Sequence, residues 1–283
     1  MATKFIGLIG NPLAHSTSPA FQQAALDHCG VDARYELWET EAEELPVALE
    51  RVREDDCLGA NVTIPHKERV LAFLDKLDPM AKRIGAVNTV VNRDGRLRGH
   101  NTDILGFAQA LRRDGAFDPR GCHALVLGAG GAARAIAVAL IDGDAASLTV
   151  TDIDQERAAS FLRDLASQSE TALRSVPPAG EDLVAAASAC QLLVNCTPIG
   201  MRHSATEGGT PIAPELIAAG TLVFDLVANP PETRLLAEAR RRGARTVSGL
   251  AMLVYQGAES FRLWTGLEPP LDVMREAARS AVA

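Results

Sequence analysis

Apolar and polar positions alternate along the first part of the chain in blocks that predict strands followed by helices. Residues 5–9 form an apolar run of strand length that ends at the turn residues 10–12, and helical spacing then runs from Ser18 to about residue 27. Residues 34–38 alternate as a second strand, and a helix follows to about residue 53. This succession predicts an α/β fold from the start of the chain.

A third strand is predicted at residues 57–60, directly before Asn61-Val62-Thr63-Ile64-Pro65-His66-Lys67. Residues 68–74 carry helical spacing, and a proline such as Pro65 suits the first turn of a helix. The pattern therefore predicts Lys67 in a first helical turn, above the carboxyl end of the strand. A cation is unusual there, because the helix dipole favours anions at that end.

Two further polar positions stand at predicted helix starts. A hairpin with an Asp94-Gly95 turn is predicted over residues 86–101, and Asp103 then opens a helix to about residue 113, where its plainest role is an N-cap. Ser18 before Pro19 is also a good N-cap, but capping does not explain Ser16. Two hydroxyls beside a free helix N-terminus also suit a bound carboxylate.

A second pattern begins near residue 123. A strand at 123–127 leads into Gly128-Ala129-Gly130-Gly131-Ala132-Ala133, a helix covers 134–141, and the strand 147–151 ends at Asp152. This is G-x-G-x-x-A in a strand–turn–helix setting with an acid about 20 residues on, which is typical of dinucleotide binding. Asp152 would accept hydrogen bonds from ribose hydroxyls and repel a 2′-phosphate.

Further strands are predicted at residues 191–196 and 221–227, with helices at 232–242, 249–264 and 272–283. Strands that alternate with helices imply a parallel sheet covered on both faces.

Composition narrows the class of protein. The 283 residues suit two domains, and a net charge of −8 argues against nucleic acid or an anionic membrane as partner. The five cysteines show no C-x-x-C or His/Cys ligand spacing, so we expect no metal site and a reducing cytosol. The apolar run after residue 4 is too short for a signal peptide, so a cytoplasmic protein is expected.

Several motifs occur together in a fixed order. They are Gly10-x-Pro12 with residues 15–19, residues 61–67 with Lys67, Gly85-Ala86-Val87-Asn88-Thr89, Asn101-Thr102-Asp103-x-x-Gly106, residues 128–132, Asn195-x-Thr197-Pro198-x-Gly200-Met201, and Gly249-Leu250-x-Met252-Leu253-x-x-Gln256. With these motifs the chain resembles the shikimate dehydrogenase family, including its quinate/shikimate members, over nearly its full length. The resemblance implies an oxidoreductase of aromatic amino acid biosynthesis.

The resemblance also implies an architecture. An N-terminal α/β substrate domain (1–104) would be completed by C-terminal helices (249–283), with a Rossmann domain (105–248) inserted between them and the active site in the cleft. The partner would be a small polyhydroxy carboxylic acid, and a monomer or a homodimer is expected.

By the same resemblance, Lys67 and Asp103 are the catalytic pair. Ser16 and Ser18 hold the substrate carboxylate, and Thr63, Asn88 and Gln256 bind ring hydroxyls. The dipole would disfavour a Lys67 ammonium by under about 1 kcal/mol, whereas an Asp about 4 Å away would favour it by roughly 4 kcal/mol. We therefore expect Lys67 to rest charged.

The cofactor residues implied by the family are Gly128, Ala129, Gly130, Gly131, Ala132, Arg134, Asp152, Thr197, Met201, Val227, Gly249 and Met252. Members that use NADP usually carry an Asn-Arg-Thr sequence where this chain has Asp152-Ile153-Asp154, with no arginine for a phosphate. NAD is therefore expected, with NADP as the alternative, and Arg134 would stack on the adenine of either cofactor.

One more departure concerns the substrate. The family typically has a tyrosine that reaches toward the substrate carboxylate where this chain has Ala228. Sequence drift without a functional effect would explain this change. A roomier pocket for quinate or an amino-substituted analogue would explain it equally well.

Two other readings compete with a shikimate or quinate dehydrogenase. Methylenetetrahydrofolate dehydrogenases also join a lysine-bearing α/β domain to a Rossmann domain, but Ser16, Ser18 and the Asp103 motif fit a polyhydroxy acid better than a folate. A non-catalytic dinucleotide-binding sensor with this fold is the other alternative.

Overall fold

The computed structural model describes residues 3–166 and 169–282, which divide into two compact units. One unit comprises residues 1–106 and 253–283, and the other comprises residues 107–252. Both are mixed α/β units built around a sheet. The chain therefore leaves the first unit, forms the second and returns to the first. The dividing points fall inside two helices, at residues 103–113 and 249–265.

The regular elements follow one another along the chain as alternating strands and helices. They are β1 Lys4–Gly10, α1 Ser18–His28, β2 Ala33–Glu39, α2 Leu45–Val52, β3 Cys57–Val62, a 3-10 helix Arg69–Phe73, β4 Lys76–Leu77, α3 Pro79–Ile84, β5 Thr89–Arg93, β6 Arg96–His100, α4 Asp103–Arg113, β7 His123–Leu127, α5 Gly131–Asp142, β8 Ser147–Thr151, α6 Gln155–Ala166, β9 Ala172–Val176, α7 Glu181–Ala189, β10 Leu192–Asn195, a 3-10 helix Pro214–Leu216, β11 Leu222–Asp225, α8 Arg234–Arg241, β12 Arg245–Ser248, α9 Gly249–Thr265 and α10 Leu271–Val282.

The sheet of the first unit has six strands in the order β2-β1-β3-β5-β6-β4. Strand β1 pairs in parallel with β2 and β3, and β5 runs antiparallel to both β3 and β6. The predicted hairpin is present, with Asp94 and Gly95 at φ values of 53° and 76°. Positive φ at both central residues gives a turn whose twist matches the flanking strands.

The prediction of a helix over residues 68–74, after Lys67, is wrong. Lys67 lies in a turn, and only the short 3-10 helix Arg69–Phe73 follows before the chain becomes extended at Leu74. Within this short helix only Val70 is buried, so the segment lacks the apolar face that would stabilise a longer helix. No α-helix begins at Lys67, so the helix dipole that was expected to disfavour a cation there is absent.

Helix α9 packs closely against the sheet of the first unit at Gly59 on β3. The Trp264 indole on α9 donates a hydrogen bond of 2.9 Å to the Val90 carbonyl on β5. Gly59, at φ +151°, allows this contact, because a Cβ there would lie 2.2 Å from the Val90 oxygen and 2.6 Å from Trp264 Nε1. Glycine is therefore required at the point where α9 meets the sheet.

The second unit has six parallel strands in the order β12-β11-β10-β7-β8-β9. The order reverses between β7 and β10, and this switch point is where open parallel sheets bind nucleotides. The sequence pattern indicated β7, β8, β10 and β11 but neither of the edge strands β9 and β12, which have no apolar run. Among the described residues, no helix combines the length and apolar character needed to cross a membrane.

Replacing Gly59 with alanine should destabilise the first unit. The added Cβ meets backbone and an indole ring, so we expect a loss of roughly 1–3 kcal/mol in the free energy of unfolding. Thermal and denaturant unfolding measure it. Gly30→Ala is the matched control, because Gly30 also has a positive φ (+64°) but has nothing within 4 Å of the added atom. Equal losses in the two variants would contradict the steric argument.

Candidate functional site

The expected catalytic pair is in direct contact. The Nζ atom of Lys67 lies 2.6 Å from Oδ2 of Asp103, although 36 positions separate the two residues in the chain. Lys67 follows β3 and Asp103 is the first residue of α4. Their side chains are only 16% and 5% exposed, so the ion pair is largely shielded from the solvent that weakens surface pairs.

The Asp103 carboxylate does not cap its own helix. The Asp103 backbone N–H donates instead to Oδ1 of Asn101, at 3.1 Å. This leaves both carboxylate oxygens for side chains, since Oδ2 takes the Lys67 bond and Oδ1 accepts from Asn88 Nδ2 at 2.9 Å. The N-cap prediction for Asp103 is therefore wrong, and its carboxylate faces Lys67 and Asn88.

The orientation of the Asn88 amide follows from a backbone contact. The Thr102 backbone N–H can only donate, and it lies 2.8 Å from Asn88 Oδ1. Nδ2 must then face the other way, toward Asp103 Oδ1 and toward Gln256 Oε1 at 3.2 Å. Asn88 thus joins the ion pair to Gln256, one of the residues expected to bind ring hydroxyls.

The remaining expected substrate residues lie in the same unit. Thr63 is half-buried, and its N–H donates to the carbonyl of Ile9 at the end of β1. Ser18 is the first residue of α1, and the N-cap is Thr17, without a side-chain cap. The Ser16 hydroxyl accepts from the Ser18 N–H at 3.3 Å. The prediction that Ser18 caps α1 is therefore wrong.

Several buried polar residues that the pattern did not single out surround Asn88. The Asn61 side chain donates to the Asn88 carbonyl at 3.0 Å, and the Thr89, Thr102 and Ser260 hydroxyls lie within hydrogen-bonding distance of one another. Asn61, Thr89 and Thr102 stand inside the motifs quoted from the sequence. Ser260 stands one helical turn after Gln256, and that spacing was the signal available for it.

The glycine loop of the second unit lies at the switch point of its sheet. Gly130 is the N-cap of α5 and has no side chain to occupy the first N–H groups of the helix, so these remain suited to a pyrophosphate. Asp152, at the end of β8, accepts from the Ala129 N–H at 2.7 Å and from the Asp154 N–H at 2.9 Å. Its carboxylate is therefore fixed beside the loop.

Two arginines, Arg134 and Arg157, lie near this loop. The Arg134 guanidinium bonds Asp164 Oδ2 at 3.2 Å and lies 5.3 Å from the Phe161 ring, both on α6. Arg157 was not predicted, yet a Cβ added at Gly130 would lie 3.5 Å from its Nη2 atom. The segment Asp152-Ile153-Asp154 carries no arginine itself, but the first turn of α6 brings Arg157 to the loop.

Asp225 organises the other side of the switch point. This fully buried carboxylate accepts from Asn195 Nδ2, the Val227 N–H and the Thr233 hydroxyl at 2.9, 3.0 and 2.6 Å. Asn195 Oδ1 in turn accepts from both the N–H and the hydroxyl of Thr197. The segments that carry Thr197 and Val227, two expected cofactor residues, are thus held by one carboxylate.

The other expected cofactor residues follow these segments. Met201 is partly exposed and Met252, on α9, is buried. Gly249 begins α9 at a close backbone approach, because a Cβ there would lie 2.2 Å from the Leu226 carbonyl oxygen. Only glycine therefore lets α9 start directly beside the segment after β11.

Cysteines and possible metal ligands are scattered over the part of the chain that the structure describes. In the described ranges, no three His, Cys, Asp or Glu side chains are grouped so that they could hold a metal ion. None of the five cysteines takes part in a disulfide. Burial raises the pKa of Cys57 and of Cys122 to about 11, and that of Cys190 to about 12. These three thiols therefore stay protonated and unreactive near neutral pH.

Two family models match separate parts of this chain. Residues 8–90 match the family model for the shikimate dehydrogenase substrate binding domain, and residues 249–279 match that for the shikimate 5'-dehydrogenase C-terminal domain. The shikimate dehydrogenase (NADP(+)) of Symbiobacterium thermophilum is 45% identical over 99% of this chain and 95% of its own. The chain belongs to the shikimate dehydrogenase family. Its members are oxidoreductases.

Solved structures from this family show the same fold. Shikimate 5-dehydrogenase from Thermus thermophilus, in complex with NADP(H) and shikimate, is 42% identical and has a TM-score of 0.87 over 98% of this chain and 99% of its own. Quinate dehydrogenase from Corynebacterium glutamicum, in complex with NAD, is 33% identical, with a TM-score of 0.88 over 98% and 99% of the two chains. These two structures contain shikimate, NADP(H) and NAD, and one of the two enzymes is named for quinate.

The buried Asp225 carboxyl predicts a pH-dependent stability. Desolvation raises its pKa above the ordinary value of 3.8, against the opposing effect of its three hydrogen bonds. A raised folded pKa means that stability is lost as pH rises from the unfolded value through the folded one. Asp225→Asn removes this titration, so the Tm of the variant minus that of the unmodified protein should increase with pH across that interval. A difference that is flat or falling with pH would contradict the argument.

Proposed function

We propose that this protein reversibly oxidises the 3-hydroxyl of shikimate, or of quinate, with a nicotinamide cofactor, to give 3-dehydroshikimate or 3-dehydroquinate. The observation that carries the proposal is the shielded contact of 2.6 Å between Lys67 and Asp103. Family membership and the dinucleotide loop of the second unit support it. Oxidation of a secondary alcohol requires both a hydride acceptor and a group that takes the hydroxyl proton.

The ion pair suits the proton part of this reaction. When bound, the nicotinamide accepts the hydride from the carbon, and the hydroxyl proton leaves toward the pair. Lys67 donates a hydrogen bond to the oxygen as negative charge develops on it, and the Asp103 carboxylate takes up the proton, either directly or across its contact with Nζ. Asn88 holds the carboxylate in place by donating to its other oxygen.

Ser16 and Ser18 are proposed to bind the substrate carboxylate, and Thr63, Asn88 and Gln256 the ring hydroxyls. The Ser16 oxygen already accepts a backbone N–H, so its own proton is available for an anion. Ala228 carries no hydroxyl, which leaves the carboxylate to the serines. Sequence drift explains this residue as well as a roomier pocket does, and quinate or an amino-substituted analogue is the alternative substrate that such a pocket would accept. A matrix of shikimate, quinate and amino-shikimate against NAD and NADP is the direct test.

For the cofactor we propose NAD. The acceptor side chain at the end of β8 is Asp152, and its two backbone bonds fix a negative charge beside the loop, where it repels a 2′-phosphate. NADP is the second candidate, favoured by Arg157 beside Gly130 and by relatives named for NADP. Arg134 reaches a cofactor only if its guanidinium leaves Asp164, so its stacking on adenine stays a prediction.

The proposal includes a monomer or a homodimer and a cytoplasmic location. In it, the first unit binds the substrate and the second unit binds the cofactor. Five cysteines without a disulfide support a reducing compartment. A non-catalytic sensor is the competing function, and the intact ion pair argues against it. Cofactor binding without turnover of any of the three acids would favour the sensor.

Replacing Lys67 with alanine should lower kcat by about 10²–10⁴-fold, the range for losing a group that assists proton transfer. The Kd of the substrate should change far less, because the serines and Gln256 are untouched. Steady-state kinetics and equilibrium binding measure the two effects. Lys82→Ala, at an exposed lysine on α3, is the control with the same change of side chain. A Lys67 variant with near-normal kcat would reject the catalytic role.

Replacing Asp152 with asparagine should raise the ratio of kcat/KM for NADP to that for NAD by about tenfold, since one negative charge near the 2′ position is removed. Asp182→Asn, at an exposed acid in the first turn of α7, gives the same charge change elsewhere in the second unit. If the unmodified enzyme already prefers NADP, Asp152 does not exclude the phosphate, and Arg157→Gln should then reduce that preference.

A further inference from the structure

The side chain of Asn101 links the two segments that meet at the ion pair. Its Nδ2 donates to the Ala86 carbonyl at 2.9 Å, and its Oδ1 accepts from the Asp103 backbone N–H at 3.1 Å. A carbonyl can only accept and a backbone N–H can only donate, so both contacts independently require the same orientation of the amide. Asn101 is buried, at 6% exposure, which limits the access of competing water. The Asp103 backbone is therefore tied to the chain at residue 86.

The other member of the ion pair is tied to the same short segment. The Val87 backbone N–H donates to the backbone carbonyl of Lys67 at 2.8 Å. The next residue, Asn88, donates from its side chain to the Asp103 carboxylate. Residues 86–88 are buried throughout and so have a fixed place in the first unit. Because Lys67 and Asp103 are both bonded to these three residues, the segment sets the distance between the two charged groups.

We propose that Asn101 is a positioning residue of the reaction, whose side-chain amide sets where the Asp103 carboxylate meets Lys67. The inference rests on the proposed function, because it requires the ion pair to take up a proton from the substrate. Asn101 acts through the backbone of Asp103 and needs no contact of its own with substrate or cofactor. Asn88 orients the carboxylate, whereas Asn101 places the residue that carries it.

The contact between the two charges tolerates little displacement. Nζ of Lys67 and Oδ2 of Asp103 are 2.6 Å apart, and a hydrogen bond weakens steeply when its angle departs from the normal range. Without the Asn101 amide, the Asp103 N–H and the Ala86 carbonyl lose their shared partner, and the start of α4 is free to shift away from residue 86. A misplacement of about 1 Å at a reacting group costs about 10²-fold in rate. The loss of this bridge should therefore appear in kcat.

Two variants, Asn101→Ala and Asn101→Ser, separate positioning from folding. Alanine removes both bonds, whereas a serine hydroxyl can still accept the N–H two residues on but ends one bond short of the position of Nδ2. Both variants should lower kcat by about 10- to 100-fold and leave the Kd of shikimate within about threefold. Serine should restore part of the Tm that alanine loses, without restoring kcat. Steady-state kinetics, equilibrium binding and thermal unfolding measure these effects.

Asn92→Ala is the matched control. Asn92 is another buried asparagine of the first unit, at 7% exposure, and its amide also bridges backbone groups. Its Nδ2 donates to the Glu54 and Cys57 carbonyls, each at 3.0 Å, and its Oδ1 accepts from the Gly95 N–H at 2.9 Å. These groups lie outside the segments that hold the ion pair. Asn92→Ala should therefore lower the Tm and leave kcat unchanged.

A double-mutant cycle shows whether Asn101 acts through the ion pair. In an Asp103→Asn background the carboxylate is already absent, so Asn101→Ala should change the residual kcat by less than about 1.5-fold. A general loss of folding would instead lower kcat by the same factor in both backgrounds. The residual turnover is measured at high enzyme concentration with shikimate in excess.

The outcomes separate this inference from the proposed function. Four results with an active unmodified enzyme overturn the inference alone: Asn101→Ala leaves kcat unchanged, Asn101→Ser regains kcat together with Tm, Asn92→Ala lowers kcat as much, or the Asn101 and Asp103 effects are additive. Failure of both Asn101 variants to fold assigns this residue to folding and also overturns it. An unmodified protein that neither binds nor turns over shikimate or quinate overturns both.

Discussion

The side-chain amide of Asn88 receives a hydrogen from the backbone of Thr102 and gives one to the carboxylate of Asp103. A backbone N–H cannot reverse its direction, so the orientation of this amide, and with it the position of the Asp103 oxygens, is set by the folded chain. Lys67 meets a carboxylate that is already oriented, at 2.6 Å. The geometry of the ion pair is therefore a consequence of how β5 and the start of α4 lie together.

The second unit uses buried polar groups in a comparable way. Asp225 receives hydrogens from a side-chain amide, a backbone N–H and a hydroxyl, and so fixes the segments after β10 and β11. Asp152 fixes the glycine loop through the Ala129 N–H. In both units loops at strand ends are held by carboxylates or amides in direct contact with backbone N–H groups, which are the least adjustable donors in a protein.

The elements with a local physical signal were predictable from the sequence. The Asp94-Gly95 turn, the strands beside the glycine loop and the C-terminal helices all follow from turn chemistry or apolar periodicity. The contact of Lys67 with Asp103 was expected from family resemblance, not from spacing. The family assignment is confirmed by the comparisons.

Other features depend on tertiary contacts that a pattern does not encode. The helix after Lys67 failed because only one of its apolar positions is buried. Ser18 and Asp103 looked like caps, but Thr17 occupies the N-cap position of α1 and the Asp103 carboxylate bonds Lys67 instead. Arg157 reaches the glycine loop only because α6 begins beside that loop. The sequence between Asp152 and Arg157 does not show that the two are close.

The aromatic residues that hold the first unit together also give it a separate optical signal. Both tryptophans and both tyrosines of the chain, Trp38, Trp264, Tyr35 and Tyr255, belong to the first unit, and residues 107–252 contain neither type. Intrinsic fluorescence therefore originates only from the unit that carries Lys67 and Asp103. Loss of that emission during denaturation follows this unit directly, while the dinucleotide-binding unit contributes no indole or phenol emission of its own.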